Sequence, residues 1–174
     1  MKRTVRAIAF ALMVSLSLAA AGAAGTLALY GNAAAKADDS LTIEDMLLYA
    51  AQDEYVARTE YVTIMAKFGA AKPFSNIKSA EENHLAWLKD AFAAYKLQFP
   101  KDEAANYVQA PATLLDAYKA GVQAEIDNIA MYDKFLASPL LQGGQNPDLK
   151  ILFTNLKNGS VNHLNAFQQQ VGQY

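Results

Sequence analysis

The stretch Ser79-Ala80-Glu81-Glu82-Asn83-His84-Leu85-Ala86-Trp87 sets a carboxylate and an imidazole three residues apart, Glu81 and His84. On an α-helix, residues i and i+3 share a face. The face continues in both directions: Ile77, Glu81, His84, Leu88, Ala91 and Tyr95 follow one another in steps of 4, 3, 4, 3 and 4. The two polar groups therefore stand on the stripe that a helix turns toward a core. A charged side chain there is costly unless it is paired or binds a metal, so the rest of the chain is expected to supply partners.

Three further helices carry matching polar positions. A first helix is predicted from about Thr42 to Phe68, with Thr42 as its N-cap and Asp45 three residues on. Its stripe, Leu47, Ala50, Glu54, Ala57, Tyr61, Ile64 and Phe68, contains one carboxylate, while Asp53 and Glu60 fall off it and are expected to be solvated. Gly69 ends it and Pro73 prevents an early restart. The helix of the opening motif runs from about Ser75 to Leu97, and the short connection makes the two antiparallel neighbours. Residues 98–110 form a long link, able when extended to span roughly 43 Å, more than the roughly 33 Å of a 22-residue helix. A third helix from about Pro111 to Ala137 has the stripe Tyr118, Val122, Glu125, Ile129, Tyr132 and Leu136. Again one carboxylate, Glu125, stands on it. Asn146 is expected to cap a fourth helix that starts at Pro147, runs to about Val171 and turns Leu149, Leu152, Leu156, Ser160, His163 and Phe167 inward. Gly159 in its middle costs about 1 kcal/mol relative to Ala, and close approach of another helix is one reason to keep it.

The chain reads as all-α, a four-helix bundle of two antiparallel hairpins. Asn83-His84-Leu85 recurs as Asn162-His163-Leu164, each in the second helix of a hairpin whose first helix has a lone glutamate on its stripe. Glu54, Glu81, His84, Glu125 and His163 together are oxygen and nitrogen ligands suited to a hard or borderline divalent metal, with iron, manganese and zinc all open. Bundle-core dimetal carboxylate sites take one Glu from each of two helices and a Glu-x-x-His from each of the other two. Here the fourth helix departs, since Ser160 stands where the second bridging carboxylate would be. A mononuclear or water-completed second position stays open. So does a metal-free network of protonated histidines between glutamates, although three buried carboxylates would repel one another without cations. Tyr61, Tyr95, Tyr118 and Tyr132 lie on the stripes and are expected in the core with paired hydroxyls.

The remaining composition narrows the function classes. The 174 residues include no cysteine, which excludes disulfides, thiolate metal sites and a cysteine nucleophile. No Gly-rich phosphate loop appears. Lys2, Arg3, Arg6 and Lys36 are the basic residues before Asp38, leaving 11 of the 15 to face all 17 acidic residues. An acidic domain without a basic cluster is a poor nucleic-acid binder. Residues 1–37 read as an export signal: Lys2, Arg3 and Arg6, an apolar run from Ala7 to about Leu29, then small residues for a cut after Ala35 or Ala37. An uncleaved anchor through residues 5–30 is the alternative. Residues 38–174 would then be the domain, periplasmic or extracellular, with metal ions as partners and self-association left open.

The quoted residues resemble the ferritin-like proteins, in particular the family called domain of unknown function 2202. The resemblance covers about residues 42–171. It rests on Asp53-Glu54-Tyr55-Val56-Ala57-Arg58, on Phe74-Ser75-Asn76-Ile77 leading to Glu81-x-x-His84, on Glu125, and on Gly159-Ser160-x-x-His163-Leu164-x-Ala166-Phe167. It implies a ferritin-like bundle and an iron-type site with Glu54, Glu81, His84, Glu125 and His163 as ligands. Ferroxidase-type or other oxygen- or peroxide-linked redox activity is the expectation. A non-catalytic metal-sequestering bundle and a helical interaction module are the alternatives.

Overall fold

The computed structural model describes residues 28–69 and 72–174. The apolar run of the export signal lies mostly outside the described residues. The order of helices is α1 (Asn32–Ala37), α2 (Ile43–Phe68), α3 (Phe74–Ala94), α4 (Leu114–Ala137) and α5 (Pro147–Val171), with short 3₁₀ turns at Ala104–Asn106 and Pro139–Leu141. No strand occurs among the described residues.

Local chemistry sets the helix starts. Thr42 and Asp45 exchange side-chain and backbone hydrogen bonds, closing a capping box on α2. Thr113, rather than Pro111, starts α4: its hydroxyl accepts from the Asp116 N–H at 3.1 Å. Pro111 instead lends its carbonyl to Lys67. Asn146 precedes α5 but does not cap it. Its backbone is left-handed at φ 43°, and its side chain accepts from the Tyr95 hydroxyl and donates to the Leu140 carbonyl.

The four long helices pack as two pairs, α2 with α3 and α4 with α5. Contacts fix their directions. Glu54 meets His84 and Tyr61 meets Phe74, so α3 runs back along α2. Tyr132 meets Phe153 and Gly121 meets Phe167, so α5 runs back along α4. The link after α3 follows α2 toward its C-terminal end, through Tyr55 to Pro100, Arg58 to Asp102 and Lys67 to Pro111. Apolar clusters fill both ends: Met46, Leu47, Leu88, Phe135, Phe153 and Leu156 at one, Ile64, Phe74, Ile77, Tyr118 and Phe167 at the other. Each such side chain contributes about 1.5–3 kcal/mol on burial, which offsets a polar belt at the middle.

Helix α1 lies within the stretch read as export signal, yet it is packed on α2 and α4. Ala35 is fully buried. Lys134 Nζ donates to the carbonyls of Ala35 (2.8 Å) and Asp38 (2.6 Å), holding the helix end. At its start the Asn32 backbone N–H and side-chain amide both donate to Asp53 Oδ1, at 2.9 and 2.7 Å. Gly31 has φ +57°, and a Cβ there would lie 2.7 Å from that same oxygen, so glycine is required on both counts. Asp53, expected to be solvated, is 5% exposed because α1 covers it.

A cut after Ala37 would remove these contacts. A chain starting at Asp38 is expected to be less stable to urea than one starting at Tyr30, by about 1–3 kcal/mol for the unpartnered Asp53 alone. Equal midpoints would show that α1 adds nothing.

Candidate metal centre

Between the apolar ends the four long helices turn five ionisable side chains toward one another. Glu54, Glu81, His84, Glu125 and His163 are each 7% exposed or less. Their ligand atoms form two trios, Glu54–Glu81–His84 and Glu81–Glu125–His163, each with its members within 4.8 Å of one another. Glu81 belongs to both. Its Oε2 lies 2.8 Å from His84 Nδ1, and its Oε1 lies 3.2 Å from His163 Nδ1. Glu54 Oε2 is 3.1 Å from His84 Nδ1 and Glu125 Oε1 is 3.4 Å from His163 Nδ1. The imidazole rings stack with centroids 5.7 Å apart.

Two tyrosines hold the outer carboxylates. Tyr132 on α4 donates to Glu54 Oε1 at 2.6 Å, and Tyr61 on α2 donates to Glu125 Oε1 at 2.7 Å. Each tyrosine thus ties a glutamate to the opposite helix pair. Burial, with the facing carboxylate, pushes both phenols well above their usual range.

Sequence reasoning missed a second polar network alongside. Ser160 donates to Asn128 Oδ1, and Asn128 Nδ2 donates to Asp53 Oδ2 at 2.6 Å. The chain Asn32–Asp53–Asn128–Ser160 therefore joins α1, α2, α4 and α5. Burial raises Asp53 to about 6 against the hydrogen bonds from Asn32 and Asn128. Asn128 stands three residues after Glu125, on the same face, and that spacing was the available signal. Glu60, also expected to be solvated, is half-buried.

Gly159 explains the close approach. A Cβ there would lie 2.6 Å from His84 Cε1 and 2.7 Å from Nε2. With that edge of the ring against the α5 backbone, His84 presents Nδ1 to the carboxylates.

The donor set and its spacing suit divalent ions. Metal–ligand bonds of about 2.0–2.2 Å, at tetrahedral or octahedral angles, separate adjacent ligand atoms by roughly 2.8–3.6 Å. The observed imidazole–carboxylate separations run from 2.8 to 3.4 Å. His163 Nδ1 is also fully buried without a hydrogen-bond partner among the described residues, although two carboxylate oxygens are near. These buried carboxylate and imidazole groups could therefore hold a divalent metal.

Residues 43–174 match the model of a family described as "Uncharacterized protein domain (DUF2202)". The chain belongs to this family. The DUF2202 span contains all five residues and begins at the first residue of α2, beyond α1. The chain is also 26% identical over 143 residues to "Uncharacterized protein MJ0754" of Methanocaldococcus jannaschii, 74% of each chain being covered. No solved structure matches.

Without metal, charge sets the pH behaviour of this DUF2202 domain. Burial opposes a charge on either imidazole, but the facing carboxylates outweigh it. Glu54 and Glu81 hold His84 up at about 10, and Glu125 and Glu81 hold His163 up at about 9. Burial and repulsion from Glu81 raise Glu54 to about 7. Burial acts to raise Glu81, but His163 and His84 outweigh it and leave its carboxyl below its usual range. Raised imidazoles add stability that is complete below their unfolded value of about 6.5 and is lost as pH rises through 9 and 10. Glu81 adds stability above its unfolded value of about 4.3 that is lost in acid. Metal-free protein is expected to unfold at a higher urea concentration at pH 6 than at pH 9.5. The reverse order would mean that the imidazoles are neutral in the folded chain.

Gly159→Ala separates folding from the centre. Helix propensity favours Ala by up to about 1 kcal/mol, yet the methyl must displace His84. Retained helicity with metal affinity weakened at least about tenfold is expected, read by circular dichroism and by titration. Unchanged affinity would show that His84 is not held by this contact.

Proposed function

We propose that the chain is an exported, ferritin-like metalloprotein that binds two divalent ions, iron by preference, at the middle of its bundle. One observation carries the reading: Glu81 offers one oxygen to each of two trios, and each trio adds one further glutamate and one histidine. The antiparallel pairing of α2 with α3 and of α4 with α5 supports the ferritin-like reading of the bundle. Export is supported by Lys2, Arg3 and Arg6 ahead of the apolar run. Among the described residues no helix is long and apolar enough to cross a membrane.

The roles follow from the contacts. Glu54 and His84 hold one ion position, Glu125 and His163 the other, and Glu81 spans both. Tyr132 and Tyr61 orient the outer carboxylates by donating to one oxygen of Glu54 and of Glu125. Ser160 is committed to Asn128, so the helix that carries His163 contributes no carboxylate. Each position has three protein ligands, which leaves room for water or a small oxidant. Iron bound there would supply one-electron chemistry toward dioxygen or peroxide. Each ion displaces the proton held on its imidazole, so affinity rises with pH.

A metal-free polar core is the second reading. It is favoured by the 2.8 and 3.1 Å contacts of His84, which are ordinary charge-assisted hydrogen-bond lengths. Anaerobic titration with Fe²⁺, followed by removal of unbound metal, separates the two. Two ions per chain are expected in the native protein, one in His84→Ala and one in His163→Ala, with both weakened in Glu81→Ala. No retained Fe²⁺, Mn²⁺ or Zn²⁺ would leave the structural reading. Air-dependent absorbance of the loaded protein then tests redox activity against simple sequestration.

A further inference from the structure

A cavity of about 20 Å³ lies between α2 and α4, and its wall includes Glu125 from the centre. That volume admits one water-sized occupant. Asn32, Asp53, Glu60, Ala57 and Ala124 line it too. The carboxylates have different standing. Glu125 is 3% exposed and held by Tyr61. Asp53 is committed, its two oxygens taken by Asn32 and Asn128. Glu60 is half-buried, burial and the charges of Glu125 and Asp53 raise its carboxyl to about 7, and no hydrogen bond reaches it among the described residues. A half-buried carboxyl with no partner among the described residues, at a one-ion cavity whose inner wall is a proposed ligand of the centre, has the chemistry to draw a cation out of water and hand it inward.

We infer that this cavity is the passage by which divalent ions reach the centre, with Glu60 as the carboxylate that receives them and Glu125 as the first ligand they meet. The inference rests on the proposed metal centre and adds its route of loading. Glu60 stands on α2 six residues beyond Glu54, outside both trios, so it positions an arriving ion without being a ligand of the bound one. Ala57 and Ala124 keep the passage open because their side chains are small. Narrow acidic clefts concentrate cations and speed their arrival by factors from about ten upward, so one carboxylate at such a place acts on rate more than on equilibrium.

The test is anaerobic stopped-flow mixing of the protein with Co²⁺, read by Trp87 fluorescence, since its ring centroid lies 5.4 Å from that of His84. Ions retained at saturation are counted alongside. Glu60→Gln keeps the shape and removes the charge. Its loading is expected to slow roughly tenfold, with native stoichiometry and a weaker dependence of rate on ionic strength. Ala124→Leu fills the cavity, and its loading is expected to slow as well, again with native stoichiometry. Glu82→Gln, on the exposed face of α3, serves as the control and is expected to load at the native rate. Native loading rates in Glu60→Gln, or in Ala124→Leu, would overturn the passage. Loss of an ion at saturation in Glu60→Gln would overturn it too, by making Glu60 a ligand. Failure of the native protein to retain Co²⁺ would instead bring down the metal centre itself.

Discussion

Glu81 is the carboxylate on which the middle of the molecule depends. It is 2% exposed, and its two oxygens lie 2.8 and 3.2 Å from two different imidazoles. A buried carboxylate is tolerated only with such compensation. The helices are arranged around that need. α3 supplies Glu81 and His84, α5 brings His163 across the bundle, and the glycine at 159 lets α5 come close enough to fix the His84 ring. The apolar clusters at either end hold the four helices in place while a polar belt occupies the centre.

The belt has an approximate twofold pattern. Glu54 and Tyr61 are seven residues apart on α2, as Glu125 and Tyr132 are on α4, and each tyrosine donates to the other helix's glutamate. Each glutamate faces the histidine of its own hairpin. The pattern breaks at one pair of positions. Glu81 precedes His84 by three residues, whereas Ser160 precedes His163 by three. Around the serine the space is taken by Asn128, which stands three residues after Glu125 where α2 has Ala57. One half of the belt thus commits Asn128 and Ser160 to the network anchored by Asp53, and the other contributes the shared carboxylate. The break leaves the shared position to Glu81, whose two oxygens face the two imidazoles.

Helical periodicity made most of this readable. Stripes with steps of three and four picked out the five buried ionisable residues that face one another at mid-bundle, because a polar residue stands out on an otherwise apolar face. Helix limits agreed to within a few residues, and the misplaced start of α4 came from weighing Pro111 above the hydroxyl of Thr113. Asp53 was misread for a different reason. On α2 alone it points away from the stripe, and it is buried by α1, a helix too short and too alanine-rich to be distinguished from the end of an export signal. Glu60 was misread in the same way, since α4 encloses it from the side. Burial that arises from contacts distant in sequence leaves no period to read.

The most direct measurement is a crystal structure of the protein loaded anaerobically with Mn²⁺, with anomalous scattering to locate the ions. Two peaks flanking the Glu81 carboxylate are expected, one against His84 Nδ1 and Glu54, the other against His163 Nδ1 and Glu125. An absence of peaks at mid-bundle, with both imidazoles still packed against the same carboxylates, would contradict the shared-carboxylate centre.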